Sequence, residues 1–346
     1  DTSLPEQMIV FYGLWGVHCV RAEHEAARKV AEQALLLMAG NADAASQAHA
    51  NRLMGESLFV LGEFVEARQY LQRAISFCDP ERATVTDLRF SFDHKVTALG
   101  FLALVLCAQG YLEQADAAAT EALTLSVRLE NANTSSMALF GKSVLAEFRR
   151  DTEDLRRYAD EQATLCAEYG ITMFGNWASF GQGLAQSWSG NPLEGIVAMR
   201  AALVAAESAH VGFFHTVHLG FLAEAHAGIG ERELALALLD EAIALATTKE
   251  GHYEAELHRM RGEVLLPQDE AAAEAGFERA LSIARRQSAK LWELRAAVSL
   301  ARLWRDQGRR DDARNLLAPV YGWFTEGFAT PDLQAAKELL DTLHGA

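Results

Sequence analysis

Three histidines fall in one short stretch, His215, His218 and His226, and the first two are three residues apart, a spacing that puts side chains on one side of a helix. Imidazoles so placed could begin a metal site. Such a site also needs carboxylate or further imidazole ligands and hydrogen bonds that orient them, and the nearest acid, Glu224, does not share their face. The plainer reading is three polar residues in or near a groove between helices. His24-Glu25 starts the zinc-protease pattern H-E-x-x-H, but the second histidine is replaced by Arg28. There is no G-x-x-x-x-G-K-[ST] loop to cradle a nucleotide phosphate and no G-x-S-x-G elbow. No nucleophile stands beside an obvious base. The sequence therefore predicts no catalysis, no cofactor and no metal, and Asp93-His94 reads as an inter-helix hydrogen bond or a ligand contact.

Charge narrows the partners. The formal charge is 31 − 47 = −16, a field that repels nucleic acid, whose binding rests on Lys and Arg neutralising phosphates. The basic clusters Arg285-Arg286 and Arg305 to Arg314 read as solvated helix faces. Cys19, Cys78, Cys107 and Cys166 form neither a C-x-x-C pair nor a zinc spacing, which fits small buried hydrophobes in a reduced, cytoplasmic compartment. The apolar run from Ile9 to Val20 is too short for a bilayer, which needs about 20 residues, so no membrane partner is expected.

The elements that carry these residues announce themselves by repetition. A small residue followed seven positions later by another recurs at Ala27, Ala67, Ala115, Gly195, Ala235 and Ala273, with weaker copies at Leu155 and Ala313; the spacings are 40, 48, 40, 40, 40, 38 and 40. Five residues before an anchor stands Gly62, Gly110, Gly190, Gly230 or Gly308. Glycine accepts the positive φ that ends a helix, and apolar helical patterns flank each one. The unit is helix, tight turn, helix, and such units stack with their neighbours into a solenoid. The expected units are 8–41, 48–81, 96–129, 136–169, 176–209, 216–249, 255–287 and 294–324, in one domain over 1–346, closed by a capping helix over 331–343 that opens with Thr330-Pro331-Asp332.

Gly-Glu-Phe-Val-Glu-Ala at 62–67, Gly-Tyr-Leu-Glu-Gln-Ala at 110–115 and Gly-Glu-Arg-Glu-Leu-Ala at 230–235 resemble the turn signature of the tetratricopeptide repeat (TPR). The resemblance implies an all-α, right-handed superhelical solenoid of about eight helix-turn-helix units, with first helices lining a concave groove. Counting from the anchors then puts Arg52, Glu56, Trp177, Phe180, Glu224, Glu256 and Arg259 in the groove, with His49 and Phe140. The longer spacing between the second and third units is an insertion within Asp79 to Asp93, expected to bring Phe90, Phe92, Asp93 and His94 to the same groove.

Longer stretches, His252 to Leu266, Tyr321 to Leu333 running on to Ala336-Lys337, and Leu61 to Arg68, are similar to the C-terminal repeat region of large bacterial multidomain regulators. In those an adenylate or guanylate cyclase, or another output domain, precedes an AAA-like ATPase module. The resemblance implies a non-catalytic regulatory or scaffold segment that docks a protein domain or peptide, the upstream ATPase or cyclase module among the candidates. The alternative is a sensor closing on a small ligand in the groove. The chain begins at Asp1 rather than Met, which suits a segment of something longer. Its first helix, Met8 to Val20, is apolar on nearly every side and calls for a cover: a preceding module or, in a homodimer, a second copy.

Overall fold

In a computed structural model of the chain, which describes residues 4–40, 43–78 and 92–344, the small anchors are where helices cross. Ala27, Ala67, Ala115, Ala235, Ala273 and Ala313 are all fully buried. The first pairs are α1 (Leu4–Val20) with α2 (His24–Met38), α3 (Ala44–Leu61) with α4 (Phe64–Ser76), and α5 (His94–Ala108) with α6 (Leu112–Leu129). Next come α7 (Ala132–Arg149) with α8 (Thr152–Tyr169), and α9 (Thr172–Trp188) with α10 (Pro192–Ser208). The last are α11 (His215–Gly228) with α12 (Arg232–Ala246), α13 (Glu254–Leu265) with α14 (Glu270–Arg286), and α15 (Lys290–Asp306) with α16 (Arg310–Tyr321), followed by α17 (Pro331–His344). No strand occurs among the described residues. Most of the proposed insertion, residues 79–91 with Phe90, lies outside the described residues.

Local chemistry starts and stops these helices. The side chains of Asp43, Asp93, Asn131, Asp151 and Asp269 each accept a hydrogen bond from the backbone N–H three residues on, satisfying a donor that the first helical turn leaves free. Pro319 sits inside α16, which ends two residues later. The degenerate fifth pair compensates with glycine: a Cβ on Gly195 would stand 2.5 Å from the Gly183 carbonyl, so α9 and α10 approach closer than any side chain allows.

Helix α5 is buried all round, as its unbroken apolar sequence requires. α1 is different: Met8, Trp15 and Cys19 turn inward, while Val10, Leu14 and Val17 are about half exposed or more.

The superhelix also closes on itself. The imidazole of His252 lies 3.4 Å from the Val60 carbonyl, and Gly212 N–H donates to Val20 O at 2.7 Å. Tyr111 packs edge-on against Trp323, with ring centroids 5.5 Å apart. Two turn glycines are needed for this seam as well as for their positive φ. A Cβ on Gly62 would meet Gln287, and one on Gly110 would meet Trp323 and Phe324. The matching turns at Gly190, Gly230 and Gly308 face open space.

Candidate functional site

Closure fills the middle of the concave face with aromatic rings. Phe214 stands edge-on to Phe140 at 5.5 Å and 5.0 Å from His252; Phe148 lies 5.2 Å from Trp292 and 5.7 Å from Tyr253. Phe148, Phe214, His252, Tyr253 and Trp292 are essentially inaccessible to solvent. Burying each large apolar side chain contributes roughly 1.5–3 kcal/mol, so this plug is core, and it divides the groove into two cavities.

The cavity on the C-terminal side measures about 500 Å³ and gathers five arginines, Arg150, Arg232, Arg259, Arg295 and Arg302, with Glu224, Glu263 and Asp332. Arg295 is buried. Its Nε and Nη2 donate to the two carboxylate oxygens of Asp332 at 2.8 Å each, its Nη1 donates to Glu256 at 3.2 Å, and it also donates to the Phe148 carbonyl. Arg259 grips the other side of Glu256 at 2.9 and 3.1 Å. Burial alone would raise the pKa of Glu256, but the two guanidinium groups outweigh it and hold the carboxyl down at about 2. Arg150 pairs with Glu224.

Arg150 occupies the turn position that other units give to glycine, five residues before the anchor Leu155, and it holds the left-handed conformation at φ 58°. That conformation costs a non-glycine residue about 1–2 kcal/mol. The side chain then leans over the rings of Trp188 and Phe221 to reach Glu224. Arg232 and Arg302 are exposed and make no ion pair among the described residues.

The second cavity, on the N-terminal side, measures about 120 Å³. Its wall is aromatic: Tyr12 and Trp15 from α1, Phe101 from α5, Phe140 from α7, Phe174 and Trp177 from α9, with Phe92 and Phe213 from loops. At one end Arg52 donates to Glu56 at 2.6 Å, both side chains nearly inaccessible. Arg52 lies against the Tyr12 and Trp15 rings, and its Nε has no hydrogen-bond partner among the described residues. Burial, only partly offset by Arg52, raises the Glu56 pKa.

The expected groove residues thus separate. Arg52, Glu56 and Trp177 line the N-terminal cavity. Glu224 and Arg259 line the C-terminal one, with Glu256 behind them. His94 meets His49 with ring centroids 4.5 Å apart, and burial pushes both imidazole pKa values down. Asp93 spends its side chain capping α5. Phe180 stacks on His218 at 3.9 Å and lines neither cavity. His226 is fixed by Glu231 at 2.6 Å and by Arg200. No group of three His, Cys, Asp or Glu side chains placed to hold a metal ion occurs among the described residues. Sequence reasoning missed Arg150 and Arg295. The first had a visible signal, the break in the glycine series; the second is one of several charged residues along α15, and nothing in the sequence set it apart from Glu293, Arg302 or Arg305.

Stacked helix pairs with small residues at most crossings and a concave face built from first helices define an all-α, TPR-like helical repeat protein. No helix among the described residues is long and apolar enough to cross a membrane. No protein-family model matches the chain. It is 26% identical over 256 residues to an uncharacterized protein of Rhizobium meliloti (strain 1021), a match covering 71% of this chain and 24% of that protein. The chain thus spans about a quarter of the length of this curated relative. Among solved structures the fold is similar to a Rap protein complexed with competence and sporulation factor, with a TM-score of 0.59 at 13% identity over 98% of each chain. It is also similar to NprR in complex with its cognate peptide NprX, at 0.53 and 16% identity over 82% of each chain. The anaphase-promoting-complex hetero-tetramer Cut9–Hcn1 matches at 0.55 and 16% identity, over 92% of this chain and 59% of that one.

Proposed function

We propose that this chain is a non-catalytic regulatory segment that binds an acidic stretch of a partner protein or peptide in the arginine-lined cavity. The observation that carries the reading is the gathering of Arg150, Arg232, Arg259, Arg295 and Arg302 around one cavity of about 500 Å³ in a chain of net charge −16. Arg150, Arg259 and Arg295 are held by Glu224, Glu256 and Asp332, which fixes their geometry. Arg232 and Arg302 remain to receive carboxylates, for which a guanidinium is the suited donor. Two of the structures that share the fold are described in complex with a cognate peptide or with competence and sporulation factor, which supports a peptide as occupant.

The segment belongs, on this reading, to a longer bacterial cytoplasmic regulator with cyclase or ATPase modules. The stretches His252 to Leu266 and Tyr321 to Leu333 support that context, as does the short share of the longer relative that the chain spans. The outer face of α1, with Val10, Leu14 and Val17, is where an adjoining module or a second copy would attach.

The test is to pan a peptide-display library against the purified chain. Enriched sequences should be rich in Asp and Glu, bind more weakly as salt rises, and lose at least tenfold in affinity for Arg232→Glu/Arg302→Glu. Enrichment of basic or uncharged sequences, or equal binding by the double variant, would overturn the reading.

A further inference from the structure

The small N-terminal cavity has a chemistry of its own. An apolar cavity of about 150 Å³ holds one benzene ring; this one, at about 120 Å³, has room for a single ring and little more. That size fits one ring of a guest within the aromatic wall. Rings face it from several helices, which favours a flat π-system packed edge-on or offset. Met137 and Met173 form part of the wall, and unbranched thioethers adapt to the outline of a guest.

Charge at the Arg52 end narrows the guest further. Such an aromatic wall would suit an organic cation, but Glu56, the carboxylate that lines it, is already bound to Arg52, whose guanidinium would stand beside the cation. An anion meets the opposite difficulty, because Glu56 already neutralises Arg52 at 2.6 Å and a second carboxylate would stand beside the first. The remaining demand is a neutral acceptor. Arg52 is 2% exposed and its Nε N–H is unpartnered among the described residues. A buried donor left without a partner is unfavourable, and a small turn of the guanidinium would present it to a carbonyl or ether oxygen on the guest.

We infer that the cavity between α1, α3, α7 and α9 is a binding site for a small neutral aromatic molecule carrying one oxygen acceptor, its ring between Tyr12, Trp15, Phe140 and Trp177 and its oxygen at Arg52. The site is separate from the arginine-lined cavity, and its failure or success does not depend on the acidic-peptide reading.

The test uses acetophenone as the neutral probe, with benzoate and phenyltrimethylammonium as its charged counterparts. Binding is followed by the emission of Trp15 and Trp177 and by saturation-transfer NMR on the probe. Acetophenone should bind saturably and at least tenfold more tightly than either charged analogue. Gly16→Leu fills the cavity from a position where a new side chain meets nothing within 4 Å. It should abolish binding while the helical circular dichroism stays native, and Met173→Trp should do the same from the opposite wall. The paired change Arg52→Met/Glu56→Leu removes both charges together, and should bind acetophenone and ethylbenzene alike where the parent prefers the ketone. Arg232→Glu/Arg302→Glu should bind acetophenone as the parent does. Absence of saturable binding, preference for benzoate or the ammonium, or unchanged binding in a folded Gly16→Leu protein would overturn the inference.

Discussion

Glu326 caps a helix that begins more than two hundred residues earlier: its Oε1 accepts the backbone N–H of Glu113 at 2.9 Å and that of Gln114 at 3.2 Å. The bond is returned, since Gly327 N–H donates to the Glu113 carboxylate at 3.1 Å. The residue before α6, Tyr111, supplies no cap of its own. A capping box normally spans four residues of one helix; here the C-terminal loop supplies half of it. Glu326→Ala should cost roughly 0.5–2 kcal/mol, the usual range for a lost cap. Urea denaturation measures the loss, and hydrogen exchange should place it at the start of α6.

Arg150→Gly separates strain from function. Glycine relieves a left-handed conformation worth about 1–2 kcal/mol, while the contact with Glu224 disappears. Folding stability should therefore change by no more than about 1 kcal/mol, with acidic-peptide affinity falling severalfold. A large loss of stability with affinity intact would place Arg150 in the scaffold alone.

Glu147 is buried with Oε2 unpartnered, and burial pushes its pKa up to about 8. A raised folded-state pKa means that stability is full below the ordinary value near 4.5 and falls as pH rises toward 8. Glu147→Gln removes that slope. The variant should gain on the parent by on the order of 3 kcal/mol at pH 7 and by nothing near pH 4, read from melting temperatures across the range.

Acid should unfold the chain in two stages. Burial holds His252 at about 4 and His218 at about 3, so the folded state refuses protons that the unfolded chain accepts below about pH 6.5. Stability then falls with pH, by roughly 1.4 kcal/mol for each of the two at pH 5.5. Glu250 marks the second stage. Burial would raise its pKa, but the hydrogen bond and charge of His24, the charge of His252 and the Thr216 N–H outweigh it and hold the carboxyl at about 2. Its contribution is present above pH 4.5 and lost below. His252→Phe should flatten the first stage in a pH series of chemical melts.

Much of the repeat was readable because size and backbone freedom leave marks in sequence. Ala67 and Ala115 are small where helices cross, and Gly62 and Gly110 are glycine where φ is positive. The site was only half readable. Helical counting places Arg52 and Arg259 on first helices, yet it cannot show that Phe214 and Tyr253 come between them, because these two rings come from the connections before α11 and α13, which meet each other, Phe148 and Trp292 only when the superhelix closes. Phe180 and Asp93 carried the right residue types but spend them on His218 and on a helix start. Composition marked α1 as a helix that needs a cover from outside the chain, and the structure leaves Val10, Leu14 and Val17 outward, the apolar face such a cover would meet.

The seam between the two ends has a consequence for how such an array can change. In an open solenoid each unit answers only to its neighbours, so ends fray and units can be gained or lost singly. Here Glu326 must find Glu113, and His252 must find Val60, across the full circumference. The molecule behaves as a hoop. Its parts should melt together rather than from one end, and its folding should be slowed by the long loops that must close first. Duplicating or deleting one helix pair, harmless to an open array, would carry the two edges out of register.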